Sequence, residues 1–223
     1  MLPLKDNLKL QTRPIVVYAI LTANVLVYIY EISLGSALND FVRQFGVVPY
    51  SIFHPTGIEN YITLFTSMFI HADNLMHIVG NMLFLWIFAD NVEDRMGHLK
   101  FVLFYFVCGI CAALLQSAID PSSKIPMIGA SGAVSGVLGA YLLLFPKAKV
   151  LALIPLGFFL RVSYLPSFVF LGIWFLYQFL FGVSSLGARG GVAYFAHIGG
   201  FIAGLLLALP FKKKRKDIYY NIY

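Results

Sequence analysis

The chain has 223 residues, of which 60% are hydrophobic and only 12% are charged. Ordinary soluble domains carry about 25% charged residues, so this composition excludes a soluble fold and indicates that lipid covers part of the surface. We interpret the formal net charge of +6 as a membrane-topology signal, and we expect a lipid bilayer rather than nucleic acid as the partner.

Apolar stretches approaching about 20 residues predict membrane-spanning helices. The sequence contains six such stretches, at about residues 14–33, 75–90, 100–118, 127–145, 164–182 and 194–211. The run from Val150 to Leu160 contains Pro155 and follows Pro146, so we interpret it as a re-entrant or interfacial connection. The predicted fold is an all-α polytopic membrane protein whose six helices form one membrane domain over residues 14–211.

The distribution of basic residues predicts the orientation, because cytoplasmic loops are enriched in Lys and Arg. With six spans, only Arg43, Lys124 and Arg189 of the 16 Lys and Arg residues lie on the side opposite the termini. Both termini are therefore predicted to be cytoplasmic, with residues 1–13 as an N-terminal segment and 212–223 as a basic tail at the lipid headgroups. The long external loop at about 34–74 is predicted to lie partly in the membrane interface.

Four polar side chains stand out within the predicted spans, where polar groups are costly and often functional. His77 and Asn81 are four residues apart on one helix face, while Ser131 and His197 lie near the starts of spans four and six. Each also has a simpler explanation, because such residues commonly join or pack helices in membranes. Small residues that permit close helix packing surround the serine and the second histidine: Gly129, Gly132, Gly136, Gly200 and Gly204.

The depth of these four residues favours a functional site. Spans two, four and six all enter from the external side, and each polar residue lies roughly 5–10 Å into its span at ~1.5 Å per residue. In this shared layer Ser131 is a candidate nucleophile and His197 a candidate base. They would form a dyad, because spans four to six contain no Asp or Glu. His77 and Asn81 are candidate donors to an oxyanion.

At this point the chain resembles the rhomboid intramembrane serine proteases. The matching motifs are His77-x-x-x-Asn81, Gly129-Ala130-Ser131-Gly132 and Ala196-His197-x-x-Gly200-x-x-x-Gly204. The resemblance covers about residues 14–211. It implies a compact rhomboid-like six-helix bundle with a water-filled cavity open to the outside. It also implies an endopeptidase that cleaves single-span membrane proteins, with the dyad and oxyanion roles given above.

The chain departs from the family pattern in its first loop, which lacks the Trp-Arg pair of some members, and at two positions near the candidate site. Ser135 stands where the family often has a tyrosine that stacks on the catalytic histidine. His71 lies six residues before His77, where the family often has a histidine five residues before, so no role is assigned to His71, and its simplest interpretation is a solvated loop residue.

Two other function classes stay open: a non-proteolytic relative that binds membrane-protein clients, and a small transporter. A transporter favours inverted repeats and charges near the membrane midplane, which the sequence lacks. Cys108 and Cys111 lie within an apolar span and are interpreted as packing residues. We expect no cofactor and no metal, because the histidines lack Cys or carboxylate partners at ligand spacing. The absence of an organelle-targeting extension predicts a prokaryotic plasma membrane.

Overall fold

The computed structural model describes residues 1–72, 74–157, 159–187, 191–212 and 218–220. In this part of the chain the secondary structure is mostly helical. The helices are α1 (Ile15–Ser33), α2 (Leu38–Phe45), α3 (Pro49–Phe53), α4 (Glu59–Thr66), α5 (Leu75–Met96), α6 (His98–Ile119), α7 (Ser131–Leu144), α8 (Ser167–Ser184) and α9 (Tyr194–Ala208). The strands are β1 (Leu2–Asp6), β2 (Lys149–Leu156) and β3 (Phe159–Pro166).

Among the described residues, five helices are long and apolar enough to cross a membrane. They are α1, α5, α6, α8 and α9, the last continued by the 3-10 turn Leu209–Phe211. Helix α7 is also apolar but has only 14 residues. At about 1.5 Å per residue its length is about 21 Å, which is less than the ~30 Å hydrocarbon core of a bilayer. The protein is therefore a polytopic membrane protein in which the span predicted at 127–145 is a shorter helix.

The segment before α7 explains why this helix starts late. Met127 pairs with Val47 in an antiparallel bridge, so the chain is extended there. Gly129 has a φ of +115°, a backbone conformation that only glycine adopts readily, and its N–H donates to the carbonyl of Ser67 at 2.8 Å. The helix consequently begins at Ser131 instead of at residue 127.

The start of α1 is held by a carboxylate from α5. Helix α5 continues beyond its predicted end at residue 90, and its Glu93 is fully buried. The Glu93 carboxylate accepts hydrogen bonds from the backbone N–H groups of Val16 and Val17 at 3.0 and 2.8 Å. Because Pro14 offers no side-chain cap, Glu93 supplies both the acceptor and the negative charge that a helix N-terminus favours.

The all-α prediction is wrong for three segments, which form an antiparallel sheet in the order β1-β2-β3. The hairpin β2-β3 occupies most of the run interpreted as a re-entrant connection and extends into the predicted span 164–182. Val150 and Ala152 are fully buried while their neighbours in β2 are more exposed, which is the period of two expected of a strand. Pro146 and Pro166 disfavour a helix that would run through this segment.

The two terminal segments lie side by side. Strand β1 pairs with β2, which belongs to the connection between α7 and α8. Leu8 bridges Tyr219, and the N–H of Lys9 donates to the carbonyl of Ile218 at 2.9 Å. The described parts of both termini therefore lie at the same end of the bundle. The assignment of this end to the cytoplasm stays a prediction.

The predicted external loop is largely folded, since it contains the short helices α2, α3 and α4. Its end is tied to α1 by Glu31, which is fully buried. The Glu31 carboxylate accepts hydrogen bonds from the backbone N–H groups of His71 and Ala72 at 3.0 and 3.1 Å. This link fixes the chain just before α5 begins.

Candidate active site

The centre of the candidate site is a hydrogen bond between two helices. Ser131 is the first residue of α7, and His197 lies in the first turn of α9. The Oγ atom of Ser131 lies 2.9 Å from Nε2 of His197. A serine hydroxyl is a poor nucleophile until a base accepts its proton, so this is the contact that nucleophilic catalysis requires.

Gln178 on α8 contacts the other side of the same imidazole and was missed by the sequence analysis. Its Oε1 lies 2.8 Å from Nδ1 of His197, and its side chain is 7% exposed. An amide oxygen only accepts, so Nδ1 donates to it and Nε2 is left to accept from the hydroxyl of Ser131. One signal could have found this residue: Gln178 is the only amide or charged side chain in the predicted span 164–182.

The imidazole also has aromatic neighbours. The ring centroids of Trp174 and Tyr194 lie 6.1 and 6.4 Å from that of His197. Ser135, which replaces a tyrosine of the family pattern, donates its hydroxyl to the backbone carbonyl of Ser131 at 2.6 Å. Support for the histidine ring therefore comes from α8 and α9.

The two predicted oxyanion donors, His77 and Asn81, lie on α5 beside the start of α7. A Cβ placed on Gly129 would be 2.6 Å from Nε2 of His77 and 3.8 Å from Nδ2 of Asn81. The Asn81 amide also donates to the backbone carbonyl of His77 at 3.1 Å. Because Ser131 is the first residue of α7, the backbone N–H groups there have no partner within the helix. Three kinds of N–H donor thus lie near the serine.

His71 differs from its prediction, because it is fully buried and not solvated. Its Nδ1 donates to the carbonyl of Phe69 at 3.3 Å, and its ring centroid lies 4.9 Å from that of His77. Burial, together with the neighbouring His77, lowers the pKa of His71 to about 4. His71 is therefore neutral at physiological pH and packs against one of the candidate oxyanion donors.

A cavity of about 1080 Å³ contains the candidate site. Ligand pockets are commonly about 300–1,000 Å³, so this one has room for an extended peptide segment. Within the described residues, no group of three or more His, Cys, Asp or Glu side chains could hold a metal ion. The wall combines all four predicted polar residues and Gln178 with apolar side chains, among them Phe84, Leu138 and Trp174.

Small residues allow α7 and α9 to approach each other. A Cβ on Gly200 would overlap the carbonyl oxygen of Gly132, and one on Gly204 would overlap that of Gly136. At Gly132 and Gly136 a Cβ would instead meet side chains of α6. The close approach of these backbones brings the start of α7 next to the start of α9.

Comparison with known proteins identifies the family to which the chain belongs. The family model of the Rhomboid domain matches residues 59–214. The chain is 30% identical over 164 residues to "Rhomboid protein 1, mitochondrial" of Saccharomyces cerevisiae, covering 70% of this chain and 44% of that protein. It is 31% identical over 159 residues to "Rhomboid-like protein 11, chloroplastic" of Arabidopsis thaliana, covering 70% of this chain and 52% of that protein. It is 28% identical over 199 residues to "Rhomboid protease GluP" of Bacillus subtilis, covering 89% of this chain and 36% of that protein.

The chain spans about half the length of these relatives or less. Because they include a mitochondrial and a chloroplast protein, they do not support the predicted prokaryotic plasma membrane. The family consists mostly of proteases but also contains inactive members, so membership alone does not assign an activity. The family resemblance is nevertheless confirmed: with a matching model over residues 59–214 and five helices of spanning length, this chain is an integral membrane protein of the rhomboid family.

Proposed function

We propose that this protein is an intramembrane serine endopeptidase that cleaves membrane-spanning segments of other proteins. The observation that carries the proposal is the 2.9 Å contact between Ser131 Oγ and His197 Nε2 in the wall of a large cavity. A protein that only binds clients needs the cavity, but it does not need a hydroxyl held against a base.

In the proposed reaction, His197 takes the proton of Ser131 while Oγ bonds to the carbonyl carbon of the scissile peptide. The carbonyl electron pair moves onto the oxygen and forms a tetrahedral oxyanion. When the carbonyl re-forms, the C–N bond breaks and His197 gives its proton to the leaving amine. Water then attacks the acyl-enzyme, His197 accepts a proton from that water, and the proton returns to Ser131 as the acid is released.

The oxyanion would be stabilised by the Asn81 amide, the His77 ring and the backbone N–H of Ser131. Each such donor is typically worth ~3 kcal/mol in the transition state. The short distances from a Cβ on Gly129 to His77 and Asn81 support this assignment, because Gly129 lies two residues before the proposed nucleophile.

The length of α7 supports a reaction within the membrane. If Leu144 lies near one surface, a helix of about 21 Å leaves Ser131 about 9 Å inside the opposite surface of a ~30 Å hydrocarbon core. We therefore propose that substrates are single-span helices that unwind near this surface, where water can reach the acyl-enzyme. From the distribution of basic residues, we propose that both termini are cytoplasmic and that the site opens to the extracytoplasmic side.

Labelling with a fluorophosphonate probe, together with cleavage of a single-span substrate in liposomes, tests the proposal. We expect the purified protein to be labelled and to cleave, and Ser131→Ala and His197→Ala to lose both activities while keeping their thermal stability. Ser33→Ala is the matched control, because its hydroxyl is exposed at the end of α1 and donates to the Tyr30 carbonyl.

Cleavage by Ser131→Ala at the rate of the unchanged protein would contradict the proposal. So would a folded protein that neither reacts with the probe nor cleaves any member of a substrate panel. If such a protein still bound a single-span protein without cleaving it, the client-binding alternative would replace the protease proposal.

A further inference from the structure

We infer that Gln178 is a positioning residue for the base, and that its amide oxygen keeps His197 in the tautomer whose Nε2 can accept the proton of Ser131. The inference rests on the proposed function. It extends the predicted dyad to a chain of three side chains, Gln178, His197 and Ser131, each on a different helix.

The geometry that supports this inference is the use of both ring nitrogens. Nδ1 of His197 lies 2.8 Å from the Gln178 oxygen, and Nε2 lies 2.9 Å from the Ser131 hydroxyl. Both contacts are within normal hydrogen-bond distance. Gln178 lines the cavity but is only 7% exposed, and a buried acceptor without a donor would be costly.

A neutral imidazole carries one proton, and the position of that proton decides whether Nε2 can act as a base. With the proton on Nδ1, Nε2 accepts from Ser131. With the proton on Nε2, the ring would donate to Oγ and could not take its proton. The Gln178 oxygen favours the first state, because in that state Nδ1–H donates to it.

Helix α8 presents this side chain on the correct face. Trp174 and Gln178 are four residues apart, so they lie on the same side of α8, and both contact His197. Near Gly182 the two helices come close, since a Cβ there would lie 3.2 Å from Cβ of Tyr194. The packing of α8 on α9 therefore fixes the amide relative to the ring.

An amide differs from a carboxylate in this position. It orients the ring and selects the tautomer, but it supplies no full negative charge to the imidazolium that forms during the reaction. It also avoids the cost of burying a charged group in an apolar interior. Gln178 is thus suited to orient the base and not to raise its basicity.

Three variants separate positioning from simple packing. Gln178→Met keeps the length of the side chain but removes the acceptor. We expect kcat to fall by about 10- to 100-fold, because a misoriented base loses part of its usual contribution to the rate. KM should stay within about twofold of the value for the unchanged protein. Gln178→Glu keeps an acceptor and should recover most of the loss. Tyr177→Phe is the control, because this neighbouring side chain on α8 is half exposed and should leave both constants unchanged.

The pH dependence of kcat gives a readout that a packing role would not move. A carboxylate at residue 178 stabilises the imidazolium, so the acidic limb of the profile for Gln178→Glu should move to higher pH. His77 on α5 is a titratable group that interacts with His197, and Tyr194 on its own helix contacts it. Neither is altered in these variants, so a displaced limb is attributable to residue 178.

The inference is overturned if Gln178→Met keeps the full kcat, or if Gln178→Glu matches Gln178→Met in both kcat and pH profile. If the unchanged protein itself does not cleave, the proposed function fails separately. Nitrogen NMR of labelled histidines then still tests the contact without activity. A proton on Nδ1 of His197 that is lost in Gln178→Met supports the inference, and an unchanged tautomer removes it.

Discussion

At the residue scale, the imidazole of His197 has a hydrogen-bond partner at each nitrogen, and the partners come from two other helices. Ser131 on α7 faces Nε2, and Gln178 on α8 faces Nδ1. The ring cannot rotate without losing both contacts. Such a base would need little reorganisation when it takes a proton, which is the property that makes preorganised sites effective.

Asn81 allows a direct test of the oxyanion assignment. Asn81→Ala removes an amide donor next to Gly129, and we expect kcat to fall by about 10²- to 10³-fold, as for other oxyanion donors. KM should change little, because the donor acts mainly on the charge that develops in the transition state. Steady-state cleavage in liposomes measures both constants. Asn39→Ala, exposed on α2, is the control, and an equal kcat for the two variants would exclude the role.

Ser131, His197, His77 and Asn81 could be selected from sequence, because their side-chain types and predicted depths coincide, and they line one cavity. Gln178 lies at a similar predicted depth but was not selected, because its residue type alone does not indicate a catalytic role. A single amide in an apolar span is usually a hydrogen-bonding residue between helices, and its partner is 19 residues away. Only the packing of α8 against α9 brings the two side chains together.

At the element scale, the separation of α7 and α9 determines whether the serine and histidine can meet. The backbone of α9 passes so close to α7 that no side chain fits at Gly200 or Gly204. Packed interiors adjust little to an added methyl group. Any increase in the helix separation would therefore be transmitted to the starts of both helices, where the two site residues lie.

Gly200→Ala tests this coupling. The added methyl would overlap the Gly132 carbonyl, and we expect a loss of about 1–3 kcal/mol of stability together with slower fluorophosphonate labelling. Gly172→Ala on α8 is the matched control, because nothing lies within 4 Å of its Cβ position and alanine favours a helix by about 1 kcal/mol. Thermal unfolding and labelling rates measure the two effects. Normal labelling in Gly200→Ala would mean that the site tolerates a wider separation.

The sequence predicted the long helices better than their interruptions. Residues 127–130 look like part of an apolar span, and only the backbone conformation of Gly129 and the bridge between Val47 and Met127 show that the helix starts later. The strands were missed because the run from Val150 to Leu160 is apolar on nearly every residue. Its period of two becomes visible only through the burial of Val150 and Ala152.

At the scale of the whole molecule, Asp6 joins the sheet to the helix bundle. The Tyr141 hydroxyl donates to its carboxylate at 2.5 Å, and the Asn91 amide donates to the same oxygen at 2.9 Å. These partners lie on α7 and α5, toward the end of α7 opposite Ser131. Burial raises the pKa of Asp6 from 3.8 to about 6, although the hydrogen bonds from Tyr141 and from the Leu8 backbone act in the other direction.

This pKa shift predicts how stability depends on pH. The folded protein binds the Asp6 proton more tightly than the unfolded chain does, so the contribution of this proton to stability is complete below about pH 3.8 and is lost as pH rises through about 6. A shift of this size corresponds to about 3 kcal/mol. The buried His71, whose pKa is lowered to about 4, acts in the opposite direction over the same pH range, so the test compares the unchanged protein with Asp6→Asn. Thermal unfolding in detergent between pH 4 and 7 should show a midpoint that changes less favourably with rising pH in the unchanged protein than in Asp6→Asn, because the side chain of the variant no longer titrates. Asp40→Asn, exposed on α2, should keep the original slope, and an identical slope in Asp6→Asn would show that Asp6 is not the group responsible.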